Sequence, residues 1–487
     1  MKELELKLMV PARRRTTLLR ALGLSTAFKV HLEAHYFDTA DRLLERSNIS
    51  LRVRKEGDAW IQTLKSSTQH QVTRFEDNVV LASSDDAPCP DLSRHSDRKL
   101  RATLHKLAGD VSQLELREVH QTEVTRRIVT RILENDAVEI AFDEGAIRAN
   151  GHEIPVSELE LELKSKSSAR QLFQLAKELV REHGLCLSTL SKASRGAQLS
   201  KTSQARPLAV KAEPVMFSPK ASAGQQFRAM VDNCLAQICP NASHVAAGSV
   251  DADQVHQLRV GIRRLRSLLR EASPLVGAVP SHWETSLRTT FQALGAYRDQ
   301  VDVSETIKPK LEAAGAPLAV PPGQAVGIQA MQESVRSADF QVVLLECLEF
   351  TRVIDRTANV SAQKVLAMRM DALHRKVLKE GKHFAKLDTD RQHSVRKRMK
   401  RLRYISELSA PLFNAKKVKQ FLSRLGPAQD ALGEHNDGLV ALEEFRMGTD
   451  KDGRAWFGVG WLTARKSETE AQCQDALKAL KKAKSFW

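Results

Sequence analysis

The chain has 487 residues, a formal net charge of +16 and only 5% aromatic residues. That length exceeds what one hydrophobic core serves, so two or three domains are expected. The basic excess points to a polyanionic partner, and the scarcity of rings counts against a reader of single-stranded nucleic acid, which stacks bases on aromatic platforms.

The chain opens on Glu3-Leu4-Glu5-Leu6-Lys7-Leu8. Charged and apolar residues alternate, so a strand there puts Glu3, Glu5 and Lys7 on one face and the leucines on the other. The order returns at Glu158-Leu159-Glu160-Leu161-Glu162-Leu163-Lys164. A solvated polar edge explains one such strand. Repetition of Glu-x-Glu-x-Lys, with basic strands between the copies, favours a face built for divalent metal and phosphate.

Between the copies, residues 11–24 read as a short helix with Arg13, Arg14, Arg15 and Arg20. Strand signals follow at His35–Thr39, at Ile49–Arg54 with Arg52 and Arg54 on one face, and at Ala59–Lys65 after a Glu56-Gly57-Asp58 turn. Thr73–Val79 alternates, with Arg74, Glu76 and Asn78 together. A loop spans 84–97 and a helix lies near 97–108. Residues 114–132 hold one or two strands with Arg126, and Val138–Asp143 puts Glu139 and Asp143 on one face. A helix from about 167 to 183 ends at Gly184, and Ser191–Gly196 reads as a basic tail. The sum is about eight antiparallel strands. Charged faces turned inward would make a tunnel, whose clustered charges a metal–phosphate complex would neutralise. Carboxylates hold metal through oxygen, and arginine and lysine hold phosphate oxygens.

This half resembles the CYTH superfamily of triphosphate tunnel metalloenzymes. The match rests on Glu3-x-Glu5-x-Lys7, Tyr36-x-Asp38-Thr39, Arg52-x-Arg54, Lys65, Arg74-x-Glu76, Thr122-x-Val124-x-Arg126, Asp143-x-Gly145, Glu158-x-Glu160-x-Glu162-x-Lys164 and Ser191–Gly196, in the family's order. The resemblance implies an eight-stranded antiparallel β tunnel with flanking helices, which takes a linear triphosphate with Mg2+ or Mn2+ and hydrolyses it. Carried over, Glu3, Glu5, Glu160, Glu162 and Asp143 would hold metal, and Glu3, Glu5, Lys7 and Arg126 would be catalytic. Lys7, Arg52, Arg54, Lys65, Arg74, Arg126, Lys164 and Lys192 would grip triphosphate. His120-Gln121 departs from the apolar or aromatic residue that the family tends to carry there.

Residues 200–222 collect Pro207, Pro214 and Pro219 and read as a linker. Helical periodicity follows. His256-Gln257-Leu258-Arg259-Val260-Gly261-Ile262-Arg263-Arg264-Leu265-Arg266 aligns with His393–Tyr404 at an offset of 137 residues. His393, Arg396, Lys397, Lys400, Arg401 and Arg403 thereby form a second basic segment. Leu294-Gly295-Ala296-Tyr297-Arg298-Asp299 is echoed by Leu432-Gly433-Glu434-His435-Asn436-Asp437. This is an internal duplication. On a helix, His256, Arg259, Arg263 and Arg266 share one side and Leu258, Ile262, Leu265 and Leu269 the other. Like charges at these spacings destabilise an isolated helix, so matched stripes favour a polyanion ligand over a solvated face.

This half resembles the CHAD domain, a conserved-histidine α-helical domain. The resemblance implies an all-α pair of pseudo-symmetric four-helix bundles that bind inorganic polyphosphate through His256, Arg259, Arg263, Arg264, Arg266 and their counterparts 393–403. The expected division is 1–203 for the tunnel domain, 204–219 for the linker and 220–487 for the helical domain.

The expected function is metal-dependent hydrolysis of inorganic triphosphate to pyrophosphate and phosphate, with polyphosphate bound by the helical half. Three alternatives stand beside it. The tunnel could cyclise ATP or act on nucleoside or thiamine triphosphate, the protein could be a non-catalytic polyphosphate scaffold, or the basic helices could bind nucleic acid. The last is disfavoured by the few aromatics and the lack of a groove-reading motif. The six cysteines show neither zinc spacing nor a disulfide framework, which fits a reducing cytoplasm. With no leader pattern and no apolar span, the chain is expected to be cytoplasmic, at polyphosphate granules where these form, and not membrane-bound.

Overall fold

The computed structural model describes residues 4–67, 74–81, 87–109, 114–133, 136–164, 169–201, 208–218, 220–275, 277, 279–317, 326–353 and 360–487. Its contacts divide the chain into two units. One is Met1–Ala209 with Arg336–Glu349, and the other is Val210–Val335 with Phe350–Trp487.

Period-two patterning dictates the first unit. Its strands are β1 (Glu5–Met9), β2 (Lys29–Asp38), β3 (Ile49–Glu56), β4 (Ala59–Ser67), β5 (Arg74–Val80), β6 (Arg117–Leu133), β7 (Asp136–Ala149), β8 (His152–Leu163) and β9 (Cys186–Leu187). They form one sheet in the order β5-β4-β3-β2-β6-β7-β8-β1-β9, with every recorded pair antiparallel. The antiparallel sheet with flanking helices is as expected, but the described strands number nine rather than eight. The extra strand, β9, is two residues long, too short to show an alternation. The one or two strands read within residues 114–132 are the single long β6.

The helices within the Met1–Ala209 part of this unit are α1 (Arg15–Ala21), α2 (Leu43–Arg46), α3 (Arg98–Ala108), α4 (Arg170–His183) and α5 (Lys192–Leu199). On α4 the residues Leu172, Phe173, Leu175, Ala176, Leu179 and Val180 are all buried, the apolar stripe of an amphipathic helix. Gly184 ends α4 in the left-handed conformation, with φ 64°. The supposed basic tail at Ser191–Gly196 is a correction: it starts α5. Ser191 has extended backbone, and its side chain accepts a 3.0 Å bond from the Ser194 N–H, an N-cap that the arginine and lysine content had masked.

The helical region runs α6 (Ala223–Ala246), α7 (Ala252–Ala272), α8 (Ser281–Asp302), α9 (Lys308–Ala313), α10 (Val326–Arg336), α11 (Ala338–Val353), α12 (Ala362–Gly381), α13 (Thr389–Leu408), α14 (Ala415–Gly448) and α15 (Ala455–Leu480). Helix α6 packs on α7, α7 on α8, α12 on α13, α13 on α14 and α14 on α15. The duplicated segments lie on α7 and α13, which also pack on each other. Both start from an aspartate cap: Asp251 accepts from the Gln254 N–H at 3.0 Å and Asp388 from the Arg391 N–H at 2.8 Å. These caps keep the repeat's own offset of 137 residues. Among the described residues, no helix is long and apolar enough to cross a membrane.

Candidate metal and phosphate site

Residues directly opposite one another in an antiparallel pair share a face of the sheet. Glu5 lies opposite Glu162 and Lys7 opposite Glu160 across β1 and β8. Glu162 lies opposite Glu139, and Glu158 opposite Asp143, across β8 and β7. Asp143 then lies opposite Arg126 on β6. Through Val30 and Ala34 of β2 the same face continues to Arg54 and Arg52 on β3, Thr63 and Lys65 on β4 and Glu76 on β5. One face therefore carries carboxylates at one side and bases at the other, while Leu6, Leu8, Leu159 and Leu161 are buried on the opposite face.

The acidic side has a tight centre. One carboxylate oxygen each from Asp143, Glu158 and Glu160 lies within 4.8 Å of the others. Asp143 is fully buried and Glu158 is 2% exposed. Helix α5 sets this depth. Its first residue, Lys192, places Nζ 2.6 Å from Asp143 Oδ2, 3.2 Å from Glu160 Oε1, and against Glu158 Oε1. One turn on, Arg195 reaches Glu158 Oε2 at 3.5 Å. From below, Lys7 Nζ lies 3.1 Å from Glu160 and 3.4 Å from Glu158. Arg126 forks onto Asp143, Nε to Oδ1 at 2.7 Å and Nη2 to Oδ2 at 2.6 Å, and also touches Glu160.

The pKa shifts follow this pairing. Burial disfavours the charge on Lys7, Lys192 and Arg126, but the neighbouring carboxylates outweigh it and raise all three. Burial likewise opposes charge on Glu160, and Lys7, Lys192 and Arg126 outweigh it, holding that carboxyl well below its usual range.

The basic side is less well matched. Lys65 Nζ pairs with Glu76 at 2.7 Å, Arg54 with Glu56, and Arg52 Nη2 donates to Thr63 Oγ1 at 3.2 Å. Burial, followed by the nearby Arg52, nevertheless lowers the pKa of both Lys65 and Arg54. A group whose charge is disfavoured by its like neighbours is one that an incoming anion relieves.

The sequence candidates divide accordingly. Asp143 and Glu160 join the buried centre. Glu5 and Glu162 lie further along the face beside Glu139, where Lys164 Nζ is 2.9 Å from Glu162 and 3.3 Å from Glu139. Glu158, read as part of the motif but not as a ligand, is in the centre. Glu3 and the Arg74 side chain lie outside the described residues. His120 serves there as a buried aromatic: it stacks on Tyr36 with ring centroids 4.3 Å apart, and burial, then Arg42, pushes its pKa down to about 3.

In the helical unit the facing stripes of α7 and α13 form one basic cluster. Arg259, Arg263 and Arg266 lie over the Phe291 ring at 4.9, 4.9 and 5.5 Å. Gly295 gives Arg259 its room, since a Cβ there would sit 3.0 Å from the guanidinium. Burial, then Arg263 and Arg396, pushes Lys400 down to about 6. His256 is pushed to about 4 by burial and by Arg298, Arg263, Lys400 and Arg259. Arg396 reaches Asp437 at 3.5 Å, and His393 Nδ1 lies 3.2 Å from Asn436 Oδ1.

Arg264 departs from the expected set. It is 2% exposed and turned into the α6 contact, donating to Gln237 Oε1 at 2.9 Å and Asn233 Oδ1 at 2.7 Å. Arg401 pairs with Glu271 at 3.1 Å, Arg403 with Glu407 at 2.6 Å and Arg266 with Glu284 at 2.5 Å, while Lys397 is exposed.

Comparison with known proteins matches the chain both along its length and half by half. An uncharacterised protein of Mycobacterium tuberculosis is 26% identical over 496 residues, covering 92% of this chain and 88% of that one. The inorganic triphosphatase of Haemophilus influenzae is 28% identical over 169 residues, 33% of this chain and 44% of that protein. The crystal structure of the CHAD domain from the plant Ricinus communis is 24% identical with a TM-score of 0.46, covering 57% of this chain and 98% of that one. The family models for the CYTH domain and the CHAD domain match residues 1–197 and 229–446, so along this chain a CYTH domain is followed by a CHAD domain.

Proposed function

We propose that the CYTH unit hydrolyses inorganic triphosphate to pyrophosphate and phosphate with Mg2+ or Mn2+, and that the CHAD unit holds inorganic polyphosphate. The observation that carries this reading is the single sheet face on which a buried carboxylate centre adjoins Arg52, Arg54, Lys65 and Arg126. The similarity to an inorganic triphosphatase over a third of the chain supports it.

The donor set fits such an ion. Asp143, Glu158 and Glu160 offer oxygen only, as Mg2+ and Mn2+ prefer. When bound, the ion would neutralise phosphate charge and lower the barrier to attack. The chain's own residues do the rest. Arg52, Arg54, Lys65 and Arg126 hold the non-bridging oxygens and stabilise the charge that spreads over them. The water oxygen bonds to the terminal phosphorus and the bridging P–O bond breaks, its electron pair leaving with pyrophosphate. A glutamate of the face takes the water's proton.

In the CHAD unit, Arg259, Arg263, Arg396 and Lys400 crowd like charges together, and a polyanion would relieve that repulsion. The test of the whole reading is phosphate release from tripolyphosphate, ATP, thiamine triphosphate and long-chain polyphosphate with each metal. Turnover should be fastest on tripolyphosphate. Cyclic AMP with pyrophosphate from ATP would make it a cyclase, and no turnover of any substrate would make it a scaffold.

A further inference from the structure

Among the cations around the carboxylate centre, Lys192 is distinct. Lys7 touches Glu158 and Glu160, Arg126 touches Asp143 and Glu160, and Arg195 touches Glu158. Lys192 touches all three acids, which are the ones whose carboxylates bring an oxygen each within 4.8 Å of one another. We propose that Lys192 is an internal counter-ion that holds the metal position, and that it must leave Asp143, Glu158 and Glu160 before a divalent ion can enter. The proposal rests on the metal reading above and goes beyond it.

Two arguments carry it. The first is volume and charge. A hard divalent ion takes carboxylate oxygens at about 2.0–2.6 Å, and no ammonium can share three of those oxygens with it. The second is mobility. Helix α5 is pinned: Gly196 lies so close to His120 that a Cβ would come within 1.9 Å of the ring, and the Ser200 carbonyl accepts from Asn150 Nδ2 at 2.7 Å and Arg42 Nη2 at 3.3 Å. The helix stays in place while the four-carbon lysine stem moves.

A consequence follows for the order of binding. An ammonium driven off its carboxylates inside the fold needs a new anion, because a buried unpaired charge is costly. Triphosphate supplies that anion. The ion and triphosphate therefore bind cooperatively, each raising the affinity for the other by the same factor. Lys192 passes from the acids to the phosphate and opposes uptake of the ion alone.

The experiment measures Mn2+ binding to the full chain by calorimetry and by the electron paramagnetic resonance of free Mn2+. It compares wild type, Lys192→Met and Arg195→Gln, each with and without imidotriphosphate, a non-hydrolysable analogue. Lys192→Met should bind Mn2+ alone at least about tenfold tighter than wild type, and its enhancement by the analogue should shrink. Arg195→Gln removes a charge from the same centre without vacating the shared position, and should change Mn2+ affinity by less than about threefold. Equal effects of the two variants, or no gain in Lys192→Met, would overturn the proposal. If Lys192→Met does not unfold cooperatively, Lys192→Gln takes its place and carries the same expectation. Absence of Mn2+ binding in wild type and variants alike would remove the metal reading and the proposal together. Mn2+ binding that Glu160→Gln abolishes but Lys192→Met leaves unchanged would remove the proposal alone.

Discussion

The two basic surfaces of this chain treat their charges in opposite ways. In the CYTH unit, Lys7, Lys192 and Arg126 are each held by carboxylates of the same fold, and their pKa values rise. In the CHAD unit, Lys400, Arg396 and His256 are surrounded mainly by other cations, and burial together with those neighbours lowers theirs. The first surface is neutralised from within, and on the proposed reading it exchanges an internal ion for an external one. The second holds cations of α7 and α13 close together, a repulsion that Asp437 offsets only in part. On the proposed function, the acid-lined basic site serves chemistry and the acid-poor one serves retention.

Each half of this contrast can be broken separately. The largest effect is expected from Glu160→Gln, which removes a carboxylate shared by Lys7, Lys192 and Arg126. Turnover of tripolyphosphate should fall roughly 10²- to 10³-fold, the loss typical of one preorganised charged group, and steady-state phosphate release checks it. Next, Arg263→Ala with Lys400→Ala should weaken long-chain polyphosphate binding by about 10- to 100-fold and flatten its salt dependence. Isotherms at two salt concentrations decide this, since each lost phosphate contact lowers the salt slope.

Arg264→Ala tests the corrected assignment. It should leave Asn233 and Gln237 without their donor and cost about 1–3 kcal/mol of stability, read by denaturant unfolding. Polyphosphate affinity should stay near wild type.

The smallest effect concerns pH. Lys400, faced by Arg263 and Arg259 from α7, Arg396 from α13 and Asp437 from α14, is pushed down to about 6 in the free protein. Below pH 6 the ammonium is already charged. Above it, binding must take up a proton, so polyphosphate affinity should decline as pH rises through about 6, by at most about tenfold per unit. Lys400→Met should remove that slope.

Alternation made much of the first unit legible. Glu5, Lys7, Glu158, Glu160 and Glu162 share a face because a strand has period two, and the register places them together. What alternation cannot rank is depth. Glu158 and Glu162 look equivalent in sequence, yet Glu158 lies beneath α5 and Glu162 beyond it. The choice was made by a helix read as a tail, whose Ser191 cap was the available signal. In the second unit the duplication exposed α7 and α13, but Arg264 was counted with the ligand stripe. Its neighbours on the helix, Gly261 and Leu268, are buried, and a Cβ at Gly261 would lie 2.8 Å from Ile238 of α6. A glycine one turn before an arginine was the mark of that close approach.

The central claim is that a carboxylate centre beside phosphate-gripping bases makes the CYTH unit a metal-dependent inorganic triphosphatase. Phosphate release from tripolyphosphate by the full chain, titrated with Mg2+ and with Mn2+ and compared with ATP under the same conditions, tests it most directly. Saturable metal-dependent release of one phosphate and one pyrophosphate per tripolyphosphate, faster than from ATP, is the predicted result. Equal release with and without metal, or none at any metal concentration, would contradict it.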